Sequence, residues 1–240
     1  DVSNGADRVF VGALKGYYNG SVTTNTPTTS LEILMEPVTI SNNASYQFVE
    51  PETCATCHPN QKAEWEGSVM ATAGQNLWVH DVNNGNGTAG GLGGFVYTPD
   101  SAFAGHNPNA QCAACHHPER WIPPVFSASI SDSVRLEGPD DAGYPTAAAA
   151  HGVSCETCHK VADIDTDKLN FPGMFPGQVT YNRPEAGTQI QYGLLADASY
   201  HETGTMQPSY QPQIVAEVCA ACHEDKSDLN EDGAFDDLIS

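Results

Sequence analysis

The chain is poor in the side chains that ordinarily build a protein interior. Leu, Ile, Val and Phe together make only 44 of its 240 residues. With a formal net charge of −21, so thin an apolar supply would by itself point toward disorder. Basic residues are scarcer still. Nine Lys plus Arg cannot line a phosphate-binding surface, which excludes nucleic acid as a partner. No apolar run reaches the roughly eighteen residues of a bilayer-crossing helix. Residues 1–50 contain neither Cys nor His. The polar stretch that begins at Asp1 does not read as an export leader. The expectation is a mature, secreted chain, extracellular or periplasmic, whose signal has been removed.

Against these shortages stand eight cysteines in a regular pattern. They form Cys54-Ala-Thr-Cys57-His58, Cys112-Ala-Ala-Cys115-His116, Cys155-Glu-Thr-Cys158-His159 and Cys219-Ala-Ala-Cys222-His223. Paired thiols alone could hold zinc or form a redox disulfide. Neither alternative explains a His directly after every pair, whereas Cys-x-x-Cys-His is the haem c attachment signature. Two thiols three positions apart on one turn reach the two vinyl groups on a porphyrin edge, and the adjacent His becomes the proximal iron ligand. Four haem c groups would use all eight cysteines and supply the missing apolar interior. The expected fold is therefore mostly coil with short helices, organised around stacked haems, with a small β-rich N-terminal part.

Five further histidines, His80, His106, His117, His151 and His201, are candidates for the distal positions. His151 lies directly ahead of the third motif, His201 ahead of the fourth, and His117 beside a proximal His. Met70 competes as a thioether ligand, but Met beside Trp65 also reads as core filler. Five imidazoles for four irons imply six-coordinate haem throughout. That favours electron transfer over catalysis, which needs an open iron position.

Three regions emerge. In residues 1–50, Val9–Val11, Leu31–Met35 and Val38–Ile40 read as strands, separated by a Thr-rich loop over Ser21–Ser30. This segment is a candidate subunit contact. Residues 51–225 hold the four motifs, with a helix expected over Gln61–Ala73 and a Gly-rich loop over Asn83–Gly94. The tail, residues 226–240, matches the start of a calcium loop: Asp228, Asn230 and Asp232 at alternate positions, then Gly233. Ile239 stands where the closing carboxylate belongs, so Asp236 or Asp237 would have to substitute. Sequons occur at Asn19, Asn43 and Asn86.

Trp65-x-x-Ser68 after the first motif, Pro118 and Trp121 after the second, and Gly152-Val153 before the third resemble the multihaem c-type cytochromes, including hydroxylamine-linked tetrahaem cytochromes. Many members carry a His after that Trp-x-x-Ser, where this chain has Met70. Four motifs, long coil and a Cys-free start also resemble tetrahaem subunits of extracellular cytochrome filaments, over residues 50–225. That resemblance implies a homopolymer whose haems form a continuous chain, with a distal His able to cross between subunits. It also implies electrons passed to other redox proteins, an extracellular metal oxide or a cellular acceptor. A soluble periplasmic shuttle is the alternative expectation, and a haem oxidoreductase with one open iron the third.

Overall fold

A computed structural model describes residues 5, 7–43, 45–76, 115–116, 118–121, 152–168, 178–185, 189–197, 206–227 and 237–239. Its elements are short helices and two-stranded sheets. The first sheet is a hairpin, β1 (Asp7–Gly12) antiparallel to β2 (Gly20–Asn25), with Phe10 opposite Val22 and Gly12 opposite Gly20. β-Branched and aromatic residues favour the pleated backbone on both strands. The strand β2 thus runs into the Thr-rich stretch expected to be loop. Thr23 and Thr24 are good strand formers once Val9 and Arg8 stand opposite them.

Leu31–Met35, expected as a strand, pairs with nothing among the described residues. It lies across the glycine end of the hairpin instead. A Cβ on Gly20 would fall 2.6 Å from the Leu34 carbonyl oxygen, and one on Gly12 would meet Ile33 and Met35 at 3.2 Å. The absent side chains leave the groove that this crossing fills. Val38–Ile40 forms no strand either, although Val38 N–H donates to the Gly16 carbonyl at 2.9 Å.

Helices α1 (Pro51–Ala55) and α2 (Pro59–Glu66) follow, each opened by a proline whose fixed φ suits the first turn. The second stops at Gly67, short of the expected Ala73. Beyond it the Ser68 hydroxyl donates to the Trp65 carbonyl at 2.7 Å and accepts from Ala71 N–H at 3.4 Å. This local side-chain bonding turns the backbone out of the helix. Next come α3 (Pro118–Trp121), α4 (Cys155–His159), β3 (Val161–Ile164), β4 (Val179–Tyr181), β5 (Ile190–Gly193), β6 (Gln207–Tyr210), α5 (Glu217–His223), β7 (Asp225–Ser227) and β8 (Asp237–Ile239). β3 with β4 and β7 with β8 pair antiparallel, while β5 with β6 is parallel.

The interior sits between β3–β4 and β5. Ala162, Ile190 and Tyr192 cluster there, with Tyr18, Val38 and Ile214 packed on the margin, and Val161, Ile164, Val179 and Tyr181 are buried as well. The N-terminal segment is stitched onto it. Asn19 is buried, donating to the Leu195 and Asp197 carbonyls and accepting from Tyr210 N–H at 3.1 Å. Its amide is therefore occupied, and the folded chain cannot carry a glycan there. Arg183 N–H donates to the Ser41 carbonyl at 2.8 Å, and its guanidinium to Asn42 Oδ1 at 2.6 Å. Tyr46, Phe48 and Tyr181 form a row of edge-on rings, with centroids 5.7 and 6.2 Å apart. Among the described residues, no helix is long and apolar enough to cross a membrane.

Candidate functional site

Each motif with enough described residues lies on a helical turn. Cys54 is in α1, with Cys57 and His58 in the turn that joins it to α2. Cys115 and His116 form a helical turn before α3. The third motif is α4 itself, Cys155–His159, and the fourth ends α5 at His223. On a helical turn, residues three and four apart share a face. The two thiols of a motif therefore point the same way, with the His beside the first. No disulfide joins any described cysteine, and Cys57 and Cys219 are exposed.

Two of the motif imidazoles are already oriented. His159 Nδ1 lies 2.6 Å from the Tyr192 carbonyl oxygen, and His116 Nδ1 lies 3.1 Å from that of Ala73. A carbonyl oxygen only accepts, so each Nδ1 carries a proton, which in the neutral ring leaves the lone pair on Nε2. This is the tautomer and anchoring used by metal-bound imidazoles. His58 and His223 are exposed.

The structure brings separate motifs together. The Cys54 and Cys155 thiols hydrogen-bond each other, which holds the Cys54 thiol down at about 7 and raises that of Cys155. Cys222 is likewise bonded to Cys115, and its thiol is raised by that bond and by burial. Burial pushes the Cys158 thiol up to about 11, with Cys219 close by. Burial lifts the Tyr181 phenol well above the usual value, and the Cys158 and Cys222 thiols add to the shift. Backbone contacts support the first of these meetings. Trp65 Nε1 donates to the Val153 carbonyl at 2.7 Å, Val153 N–H to that of Met70 at 2.9 Å, and Gly152 N–H to that of Ala71 at 2.8 Å. Met70 thus has its backbone committed to the approach of the third motif.

At the third motif lies a group of residues that the Cys and His pattern did not mark. Glu156, between the two cysteines, is fully buried. Its Oε2 accepts from the Tyr46 hydroxyl and from Val49 N–H, both at 2.7 Å. Its Oε1 accepts from Gln191 Nε2 at 2.7 Å and faces Lys160 Nζ at 3.3 Å. Lys160 is also fully buried, donates to the Ile190 carbonyl, and places its Nζ 5.3 Å from the Tyr46 ring centroid. Burial lowers the Lys160 ammonium from its ordinary value, with the Glu156 carboxylate opposing that shift. Tyr46 is raised, by burial first and by Glu156 second. One signal for this group was present in the sequence. The third motif alone has a charged residue between its cysteines, and Lys160 follows Glu156 by one helical turn.

These residues fit a covalently bound haem. The thiols are unbridged and paired on turns, the His116 and His159 imidazoles are held through Nδ1, and the buried Ser154 and Thr157 hydroxyls have no protein partner. Cys112 and the distal candidates His80, His106, His117, His151 and His201 lie outside the described residues, as do Asp228, Asn230, Asp232 and Asp236. Asp237 opens β8, whose pairing with β7 holds Ser227 opposite Asp237 across the ends of the acidic segment. Among the described residues no three His, Cys, Asp or Glu side chains gather to hold a metal ion unaided. No family model, curated protein or solved structure matches the chain.

Proposed function

We propose that the chain is a tetrahaem c-type cytochrome that passes electrons and performs no bond chemistry. The observation that carries this reading is the Cys-x-x-Cys-His pattern, repeated four times, with His159 and His116 held by backbone carbonyls in the iron-binding tautomer. Haem iron, when bound, supplies the one-electron couple. The protein's own part is to fix the proximal imidazoles, supply thiols on turns and bring the attachment points close together. The nearness of Cys54 to Cys155, and of Cys115 to Cys222, supports this reading, because it would bring separate attachment points within reach of electron hopping.

The assembly we infer is an extracellular filament of identical subunits. The β1–β2 hairpin is a separate two-stranded sheet, and β1 carries exposed Val9 on a strand with no second partner among the described residues. Such an edge suits strand addition from a neighbouring copy. The net charge of −21 favours a second reading, a soluble shuttle that docks on basic redox partners.

Intact-mass measurement of the secreted protein tests the first reading. Four haem additions are expected, each lost on replacing one motif's two cysteines by Ala. A colourless protein with the bare chain mass refutes it. Ferric spectra that are low-spin throughout fit bis-imidazole ligation and electron transfer, while one high-spin haem would indicate an enzyme. Negative-stain images showing only single subunits at high concentration would remove the filament and leave the shuttle.

A further inference from the structure

A buried ion pair is poor at stabilising a fold, because stripping water from both charges offsets most of their attraction. Glu156 and Lys160 nevertheless sit fully buried on the helix that carries the third motif. Both members of the pair have further partners. Three uncharged donors, the Tyr46 hydroxyl, Val49 N–H and the Gln191 amide, hold the carboxylate, and the ammonium has the Ile190 carbonyl besides. Its position is the second unusual feature. Glu156 lies between the two thiols, and Lys160 is the residue after the proximal His159. The other three motifs carry only Ala or Thr between their cysteines. His159 is also the motif imidazole with the shorter bond to a carbonyl, to Tyr192 on β5, the strand that also supplies Gln191 and the Ile190 oxygen. One strand therefore holds the carboxylate, the ammonium and the proximal imidazole together.

We propose that Glu156 and Lys160 are positioning residues that set the redox potential of the third haem, separating it from the other three. This rests on the tetrahaem reading. In a low-dielectric interior a fixed charge near the iron acts with little screening, and net charge and burial around a haem are recognised determinants of its potential. A carboxylate favours the ferric state and an ammonium the ferrous state. Removing one member therefore moves the potential in a direction set by which charge is left behind.

The test is spectroelectrochemical titration of the holoprotein and two variants. In Lys160→Met the ammonium is removed while the carboxylate keeps its three uncharged donors. One of the four redox waves should move to lower potential and the other three stay in place. Glu156→Gln keeps the side chain's shape and removes the negative charge, so the same wave should move upward. Lys160→Arg, which retains the charge, should restore the native titration. Haem stoichiometry and low-spin spectra that match wild type separate this effect from misfolding. Should Lys160→Met fail to retain the third haem, Glu156→Gln carries the test alone. Titrations that overlay wild type, or four waves that move together, overturn the proposal. Absence of haem from the wild-type protein would instead overturn the cytochrome reading.

Discussion

Tyr46→Phe isolates one bond in the buried group at the third motif. The substitution keeps the ring that meets Phe48 edge-on and removes only the hydroxyl that donates to Glu156 Oε2 at 2.7 Å. A hydrogen bond to a charged acceptor contributes about 1.5–3 kcal/mol, so about 2 kcal/mol is a fair central figure. The loss falls on a particular place. Val49 N–H donates to the same oxygen, so residues 45–50 and the motif helix are joined through one carboxylate. Opening of that segment should become easier by the same free energy, and about 2 kcal/mol corresponds to roughly 30-fold in an equilibrium constant. Hydrogen exchange of the peptide spanning residues 45–50 should show the Val49 amide losing protection by about that factor. Protection in β3 and β4 should hold. Unchanged exchange at Val49 would refute the assigned bond. Equal loss in every peptide would show that the fold as a whole, rather than the joint, had been weakened.

Gly152→Ala should be severely destabilising. The new Cβ would lie 2.6 Å from the Ala73 nitrogen and 2.7 Å from the Met70 oxygen, both backbone atoms. Overpacking of that kind costs about 1–3 kcal/mol or more, and a melting temperature equal to wild type would contradict the tight crossing of the two segments. Trp65→Phe removes the indole donor to the Val153 carbonyl and should cost about 1 kcal/mol in chemical denaturation, with the same m-value. High pH should unfold the protein through its buried phenols. Burial raises Tyr192 to about 12 from an ordinary 10, so its contribution is intact below pH 10 and lost as pH rises toward 12. Tyrosinate absorption should then appear together with loss of structure, and Tyr192→Phe should reduce the alkaline slope. An unaltered slope would show that this phenol is not the group responsible.

The helical turns at the motifs follow from local spacing. Two cysteines and a His within five positions meet their geometric requirement on a single turn, whatever the rest of the chain does. The surroundings of Glu156 were not legible. Its hydrogen-bond partners Tyr46 and Gln191 stand 110 and 35 residues away, and no periodicity connects them. Strand reading failed at Leu31–Met35 for a related reason. Its side chains suit a strand, but Gly12 and Gly20 offer a hollow that Ile33 and Met35 fill, and tertiary packing prevails over propensity. At Ser21–Ser30 the error was in the other direction. Composition suggested loop, while cross-strand neighbours on β1 draw residues up to Asn25 into a ladder. The helix after the first motif was recognised, but Ser68 was not seen as the residue whose hydroxyl competes for the backbone.

The stitching of the N-terminal segment also constrains timing. Lys15 reaches Asp163 and Gln213, Asn19 reaches Tyr210, Ser41 reaches Arg183, and Tyr46 reaches Glu156. Every one of these partners is synthesised more than a hundred residues later. While the chain is emerging, its first fifty residues have no surface to settle on, and such distant closures are slow to form. The cysteines of the first two motifs therefore come earlier in the chain than the partners that close the seam over the interior. Until the C-terminal half is in place the first two motifs lack the segments that pack over them, and its docking closes that interval.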